Sequence, residues 1–487
     1  MTTPARRVLA LAPMPPEKSA YALARYSRSP DSIEESLHWV HGHSSEKFWE
    51  QFYFDYGHAS IADLGHVIIC FEGISELAAI HIEDEALWDG QAKSSRYQDF
   101  GAGGVFIPEG IQGTPVETTY RGIAARLQQA YTALHAPIKD SLIRTTPKPD
   151  DMKPAAYDRT MNARAFDVTR YLLPLAATTN VGQVTSIRTL EKQIGRLLSQ
   201  PVAELRAVGE DLKRACANPP LNTWGELNGQ AAGPNEPLAP TLARHAHPSK
   251  YVMKTYPDLK QAAAERLKLG TIEESEPVEL IEPHAPLDEL CVTLLYRVTA
   301  YSYRQILAAV RDWTEKEKQE LVEVGLRWRG PYDELLKEFH CGYGFIFDIL
   351  MDLGGWRDLH RHRRCQQIRQ EFTPIHGYET PALLKDAGVV RQYADTMDVV
   401  RELVESLALS HPEAATYLTP FGCRTRCLFK MDYAEAEYIA RLRSGVKGHF
   451  SYRKIAWLMQ QAVLARHPFL GARIAVTPPD IEDSLSR

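Results

Sequence analysis

The sequence predicts an α+β protein made of two copies of one domain. Three observations support this. The 487 residues, 44% hydrophobic and 24% charged, are enough for two or more domains with sizeable cores. Short apolar runs of strand length alternate with longer stretches whose apolar residues recur at helical spacing. Finally, residues 218–248 carry six prolines and three glycines, and the same order of segments returns after them.

The elements follow in order. Residues 1–20, rich in Pro and Ala, form a flexible arm. Helical spacing begins at Ser32, a polar turn at 56–63 follows, and Val67 to Phe71 reads as a buried strand. A helix is expected from Ile74 to Leu87, an amphipathic helix from Glu117 to Leu134, and further helices over Tyr157–Leu175, Arg188–Leu198 and Val202–Ala217. The first domain is therefore 21–217 and the linker 218–259. The second domain, 260–475, repeats the plan. It has helices over Leu287–Trp313 and Lys316–Leu326, a strand over Phe345–Met351, and an Arg-rich helix. A long helix over Pro381–Leu409 precedes two more, Tyr433–Leu442 and Ser451–Ala465. Tyr417-Leu418-Thr419-Pro420 parallels Tyr171-Leu172-Leu173-Pro174, and 476–487 is a tail.

Composition narrows the function. A net charge of -6 argues against a generally basic nucleic-acid binder, so an anion site must be a local patch. No apolar run approaches membrane-spanning length and the start lacks a signal-peptide core, so no membrane partner and a cytoplasmic location are expected. The seven cysteines include no CxxC pair. Cys423/Cys427, His41/His43 and His360/His362 are weak metal signals, and no metal is expected.

Residues 356–365, Trp-Arg-Asp-Leu-His-Arg-His-Arg-Arg-Cys, concentrate positive charge. At helical spacing Arg357, Arg361 and Arg364 share a face, with His360 and Arg363 beside them. Such a segment fits either a solvated helix face or a site for a multiply charged anion. Only Asp358 is near in sequence to offset the charge, so a distant segment or a ligand must supply the rest.

Gly57-His58-Ala59-Ser60, the strand ending Phe71-Glu72-Gly73-Ile74-Ser75, and Ser94-Ser95-Arg96-Tyr97 resemble the flavin-dependent thymidylate synthase (ThyX) family. Arg361-His362-Arg363 resembles its signature of Arg-His-Arg, seven residues, then Ser. The resemblance spans about 30–216 and 260–470, implying two tandem ThyX-like domains, each a small mixed sheet flanked by helices, that form a pseudo-dimer in which opposite lobes share a cleft. In the first copy the triplet position holds Asp84-Glu85-Ala86 while Ser94 is kept. In the second the triplet is intact and Glu371 replaces the serine. Arg170 precedes Leu-Pro in the first copy where the second has Thr416. Arg443 closes a helix in the second, with Arg196 one position away from a match in the first.

The resemblance then implies one composite site. Arg361, Arg443 and Ser94 would be catalytic, with Ser95, Arg96, Arg170, Arg357 and Asp358 on the substrate. His58, Ser60, Ser186 and Arg188, together with Arg361, His362 and Arg363, would hold FAD. Asp358 stands where the family often has Gln. The implied reaction is reductive methylation of dUMP, or a related pyrimidine nucleotide, at C5 with methylenetetrahydrofolate and NADPH. The reciprocal set, Asp84-Glu85-Ala86 with Glu371 and Thr416, would be inactive. Two chains would form a homodimer of four lobes. Cys365 and Ser94 read better as a packed thiol and a hydrogen-bonding group than as nucleophiles. The alternative is a non-catalytic flavin- or nucleotide-binding scaffold.

Overall fold

The computed structural model describes residues 14–55, 59–223, 236–250, 285–298, 309–326 and 344–485, with 9, 11, 227, 253, 257, 274, 276–281 and 339. The chain divides into two compact α+β units. The first comprises Met1–Ile74, Ala78–Ala92 and Thr179–Gly270; the second comprises Ser75–Leu77, Lys93–Thr178 and Thr271–Arg487. No helix among the described residues is long and apolar enough to cross a membrane.

In the first unit, helices α1 (Pro16–Tyr26) and α2 (Ile33–His41) precede strand β1 (His66–Ser75). Ser32 starts α2 with a capping box, its hydroxyl accepting from Glu35 N while the Glu35 carboxylate accepts from Ser32 N. Helix α3 (Glu76–Glu83) and β2 (Asp89–Ala92) follow, then β3 (Thr178–Ser186) and helix α6 (Ile187–Leu198), after α4 and α5, which are described below. Helices α7 (Ala203–Ala217) and α8 (Pro240–His245) come next. The sheet order is β1-β3-β2, with β2 and β3 antiparallel. Strand β1 alternates, sending Val67, Ile69 and Phe71 into a core shared with Leu190, Ile194 and Leu205, as a sheet covered on one face requires.

Two expectations change here. Residues 16–20, expected in a loose arm, open α1. Residues 240–245, expected in a linker, form α8, because Leu242 and Ala243 bury against the same core and Glu17 caps their helix. The Glu17 carboxylate accepts from Thr241 N at 2.8 Å, Leu242 N at 3.1 Å and Thr241 Oγ1 at 3.0 Å. Burial nonetheless outweighs these bonds and pushes its carboxyl up to about 6. The folded state therefore holds this proton more tightly than the unfolded state. The linked stability is fully present below the unfolded value and is lost as pH rises through about 6, a change of about 2 kcal/mol. Glu17→Gln is expected to flatten urea midpoints between pH 4 and 7; an unchanged profile would show that Glu17 is not the titrating group.

The second unit contains helices α4 (Pro115–Thr145) and α5 (Pro154–Thr169), β4 (Val278–Ile281), and helices α9 (Pro286–Val298) and α10 (Glu315–Leu326). Strand β5 (Phe345–Asp352), helix α11 (Leu353–Leu359), β6 (Gln366–Arg369) and helices α12 (Val390–Ala408) and α13 (Pro412–Tyr417) follow. The unit closes with β7 (Arg424–Met431) and helices α14 (Tyr433–Ser444) and α15 (Phe450–Arg466). Its sheet runs β4-β5-β7-β6 with antiparallel neighbours throughout. The expected mixed sheet is thus corrected: β7 returns after three helices and inserts between β5 and β6, running against both. Thr425, Cys427, Phe429 and Met431 of β7 face inward while Arg424, Arg426 and Lys430 face outward, so Cys427 is a packing residue.

Several helix bounds also move. The helix expected over Glu117–Leu134 runs from Pro115 to Thr145, and Tyr157–Leu175 becomes α5 plus a 3-10 turn over Arg170–Leu172. Pro381–Leu409 divides into Leu383–Asp386 and α12, because Gly388 adopts φ +73° between them. Of Leu287–Trp313, residues 299–308 lie outside the described set.

The Arg-rich segment is corrected as well. Helix α11 ends at Leu359, and residues 360–365 turn into β6, so Arg361 and Arg364 do not continue a helical stripe with Arg357.

Candidate active site

Five positions assigned from the resemblance to two different copies, Ser94, Arg96 and Arg170 with Arg361 and Arg443, all belong to the second unit. The loop after β2 turns at Ser94, whose carbonyl accepts from Tyr97 N and Gln98 N and whose Oγ accepts from Arg96 N at 3.3 Å. Ser95 is buried behind it.

Arg96 is held on both sides. Its Nε and Nη2 donate to the Asp167 carboxylate at 2.8 and 3.4 Å, and Nη1 donates to the Tyr452 hydroxyl at 3.1 Å. Burial alone lowers the guanidinium's proton affinity, but Asp167 and Tyr452 outweigh it and raise the pKa. Three residues beyond Asp167, Arg170 is only 2% exposed. Its Nη2 donates to Gly354 O at 3.2 Å, and both Nη atoms lie 3.4 Å from one Asp358 oxygen. Its Nε is buried with no hydrogen-bond partner among the described residues.

Helix α11 sets the next group. Asp352 caps it through Gly355 N at 2.6 Å and also accepts from Ser451 Oγ at the start of α15. Burial raises the Asp352 carboxyl to about 6. From this helix Arg357 reaches the buried Glu76 carboxylate at 2.6 Å and lies over the Phe421 ring. Burial would raise the Asp358 carboxyl, but Arg170, Arg96 and Arg361 outweigh it and hold it below the usual range.

At the triplet, His362 is buried between Glu435, whose carboxylate lies 3.3 Å from Nδ1, and Arg443, whose Nε donates to Nε2 at 2.7 Å. Burial lowers the imidazole pKa, so the ring is neutral and Nε2 accepts. Arg443 also faces the Tyr452 ring at 5.5 Å. The Arg361 side chain is half-buried and makes no hydrogen bond or ion pair among the described residues, while its field reaches Asp358. Arg363 Nη1 donates to the Arg361 carbonyl at 3.3 Å. Arg364 pairs with Asp432. Cys365 is buried and its thiol is pushed up by that burial, the opposite of an activated nucleophile.

Ser60, Ser186 and Arg188 belong to the first unit, where Arg188 pairs with Asp63 at 2.8 Å and Ser186 caps α6. His58 lies outside the described residues. Glu85, at the degenerate triplet, accepts from Arg196 Nε at 2.7 Å within the first unit. Glu371 is exposed, and the Thr416 hydroxyl donates to Pro412 O.

Sequence reasoning missed Asp167, Tyr452, His449 and Glu435. His449 is fully buried, with Nε2 at 2.8 Å from Asp167 O, and burial drives its pKa well down. Asp167 had a local signal, a carboxylate one helical turn before Arg170. The others had none.

The fold is α+β, with a partly buried cluster of arginines in the second unit. The sequence matches the family described as thymidylate synthase complementing protein over residues 9–218 and 340–469, and the chain belongs to that family. It is similar to a UPF0159 protein of Chlamydia pneumoniae, 26% identical over 450 residues, covering 86% of this chain and 78% of the relative. A UPF0159 protein of Thermoplasma acidophilum is 23% identical over 494 residues, covering 93% of each. Among solved structures, the flavin dependent thymidylate synthase ThyX of Helicobacter pylori, complexed with FAD and dUMP, matches at 16% identity and a TM-score of 0.30. That match covers 41% of this chain and 100% of that one.

Proposed function

We propose that the chain is a flavin-dependent thymidylate synthase-like enzyme that methylates a pyrimidine nucleotide, dUMP or a relative, at C5, using methylenetetrahydrofolate and NADPH. The observation that carries this reading is the pair Arg361 and Arg443, two guanidinium groups with no carboxylate partner among the described residues, in a unit where Arg96, Arg170 and Arg357 are paired. Cations left uncompensated beside buried structure suit a ligand that is anionic or becomes so. In this reading they stabilise negative charge developing on the pyrimidine ring, Ser94 hydrogen-bonds the substrate, and Arg96 and Arg170 address its phosphate. Ser95, Arg357 and Asp358 shape the same pocket.

The donor set fits FAD. Arg361 and Arg363 suit its diphosphate, while His362, whose two ring nitrogens are taken up by Glu435 and Arg443, would serve to orient Arg443. Ser60, Ser186, Arg188 and His58 are assigned to the flavin by family resemblance. FAD when bound supplies hydride and one-carbon chemistry that no side chain can; the protein orients the reactants and excludes water.

The reading includes a fused pseudo-dimer with domains at 21–217 and 260–475. Its support is a reciprocal set of backbone bonds in the second unit. Phe421 N donates to Leu173 O and Leu175 N to Thr419 O; Gly422 N donates to Tyr171 O and Ala176 N to Tyr417 O. With Pro174 matched to Pro420, each bond is the image of another, as a two-fold contact demands. The sheet orders β1-β3-β2 and β5-β7-β6 also correspond. In the set read as degenerate, Glu85 pairs with Arg196, one position away from a match to Arg443, where the other set has His362 with Arg443. The pair neutralises the arginine that a nucleotide would need.

The test is tritium release from 5-labelled dUMP, run beside UMP and dCMP, on protein carrying about one FAD per chain. Release with NADPH and methylenetetrahydrofolate is expected. A colourless protein that FAD cannot reconstitute would refute the enzyme reading. Light scattering is expected to find a dimer of chains, and a stable monomer would remove the four-lobed assembly.

A further inference from the structure

Of the arginines around the candidate site, four have carboxylate partners: Arg96 with Asp167, Arg170 with Asp358, Arg357 with Glu76 and Arg364 with Asp432. Arg361 and Arg443 have no carboxylate partner among the described residues, while the Arg96–Arg170 corner is balanced. A phosphate dianion entering that corner meets guanidinium groups already engaged, and desolvating it there without releasing a carboxylate is costly.

The two pairs in the corner are not equally strong. Asp167 is 1% exposed and grips Arg96 with both oxygens, and Tyr452 takes up Nη1. Asp358 offers Arg170 one oxygen at 3.4 Å, and its side chain is 15% exposed where that of Arg170 is 2%. The Arg170–Asp358 pair is thus the one that yields, and the buried, unpartnered Arg170 Nε is a donor still to be satisfied.

Building on the proposed function, we propose that Asp358 competes with the substrate's phosphate for Arg170 and so sets how strongly the site distinguishes a nucleotide from its nucleoside. A neutral amide at this position leaves Arg170 available and adds a donor of its own.

The test compares dUMP with deoxyuridine on FAD-loaded wild-type protein, Asp358→Asn and Asp358→Gln, by titration calorimetry. Removing the competing charge is expected to tighten dUMP by about tenfold or more while deoxyuridine stays within about twofold. Retained deoxyuridine binding also shows that the variant is folded. Unchanged or weaker dUMP binding, or equal shifts for both ligands, would overturn the role of Asp358 and leave the enzyme reading standing. If neither pyrimidine binds any of the proteins, the proposed function fails and this inference with it. The wild-type chain gives an independent measure: dUMP is expected to exceed deoxyuridine by less than about tenfold, and a preference of about a thousandfold would contradict the inference without any variant.

Discussion

Arg361→Ala is expected to lower turnover by about 10²–10³-fold, the loss seen when one preorganised donor to a developing anion is removed. The reason is local. Arg361 is half-buried, has no partner among the described residues, and follows the turn that ends α11, so its position is fixed while its donors stay free. Alanine there removes the charge without exposing an orphaned partner, so the thermal midpoint should hardly move. Glu371→Ala, an exposed position in the degenerate set, is expected to leave turnover unchanged. Steady-state kinetics of the two variants decides the matter, since comparable losses would mean that the two sets do not differ in function.

The largest expected effect on stability comes from Asp167→Ala. Removing this carboxylate leaves the Arg96 guanidinium, 9% exposed, without its counter-charge, and breaking a buried pair from one side costs about 3–5 kcal/mol. Chemical denaturation should show the loss, with the native fraction falling sharply at moderate urea. Asp167→Asn, which keeps an acceptor, should lose less. The same variants should bind substrate poorly even where folded, because Arg96 would no longer be held between Asp167 and Tyr452. A shift below about 1 kcal/mol for Asp167→Ala would mean that Arg96 finds another partner or water.

Some features were legible before any coordinates. Strand β5 was readable from the apolar run Phe345–Met351, and the helices beginning near 187, 203, 433 and 450 from their period. Helix α8 was hidden because six residues inside a Pro-rich stretch carry no period; Glu17 and the core they bury against supply the reason to fold. The Arg-rich segment misled in a related way. Its spacing fits a helix, yet α11 ends at Leu359, where the chain must turn to deliver β6 to the edge of the sheet.

By itself, the sequence determined that this chain carries a local concentration of arginine on a mildly acidic protein, and where its strongly periodic helices and the strand at Phe345–Met351 lie. Only the tertiary structure decided which of those arginines are already neutralised. Arg96 meets Asp167 across 71 residues and Arg170 meets Asp358 across 188, while Arg361 and Arg443 are left without carboxylates among the described residues. The physical reason is one of range. Periodicity fixes which face of its own helix or strand a residue occupies, whereas the charge at its tip is balanced by whatever distant segment packing brings within a few ångströms.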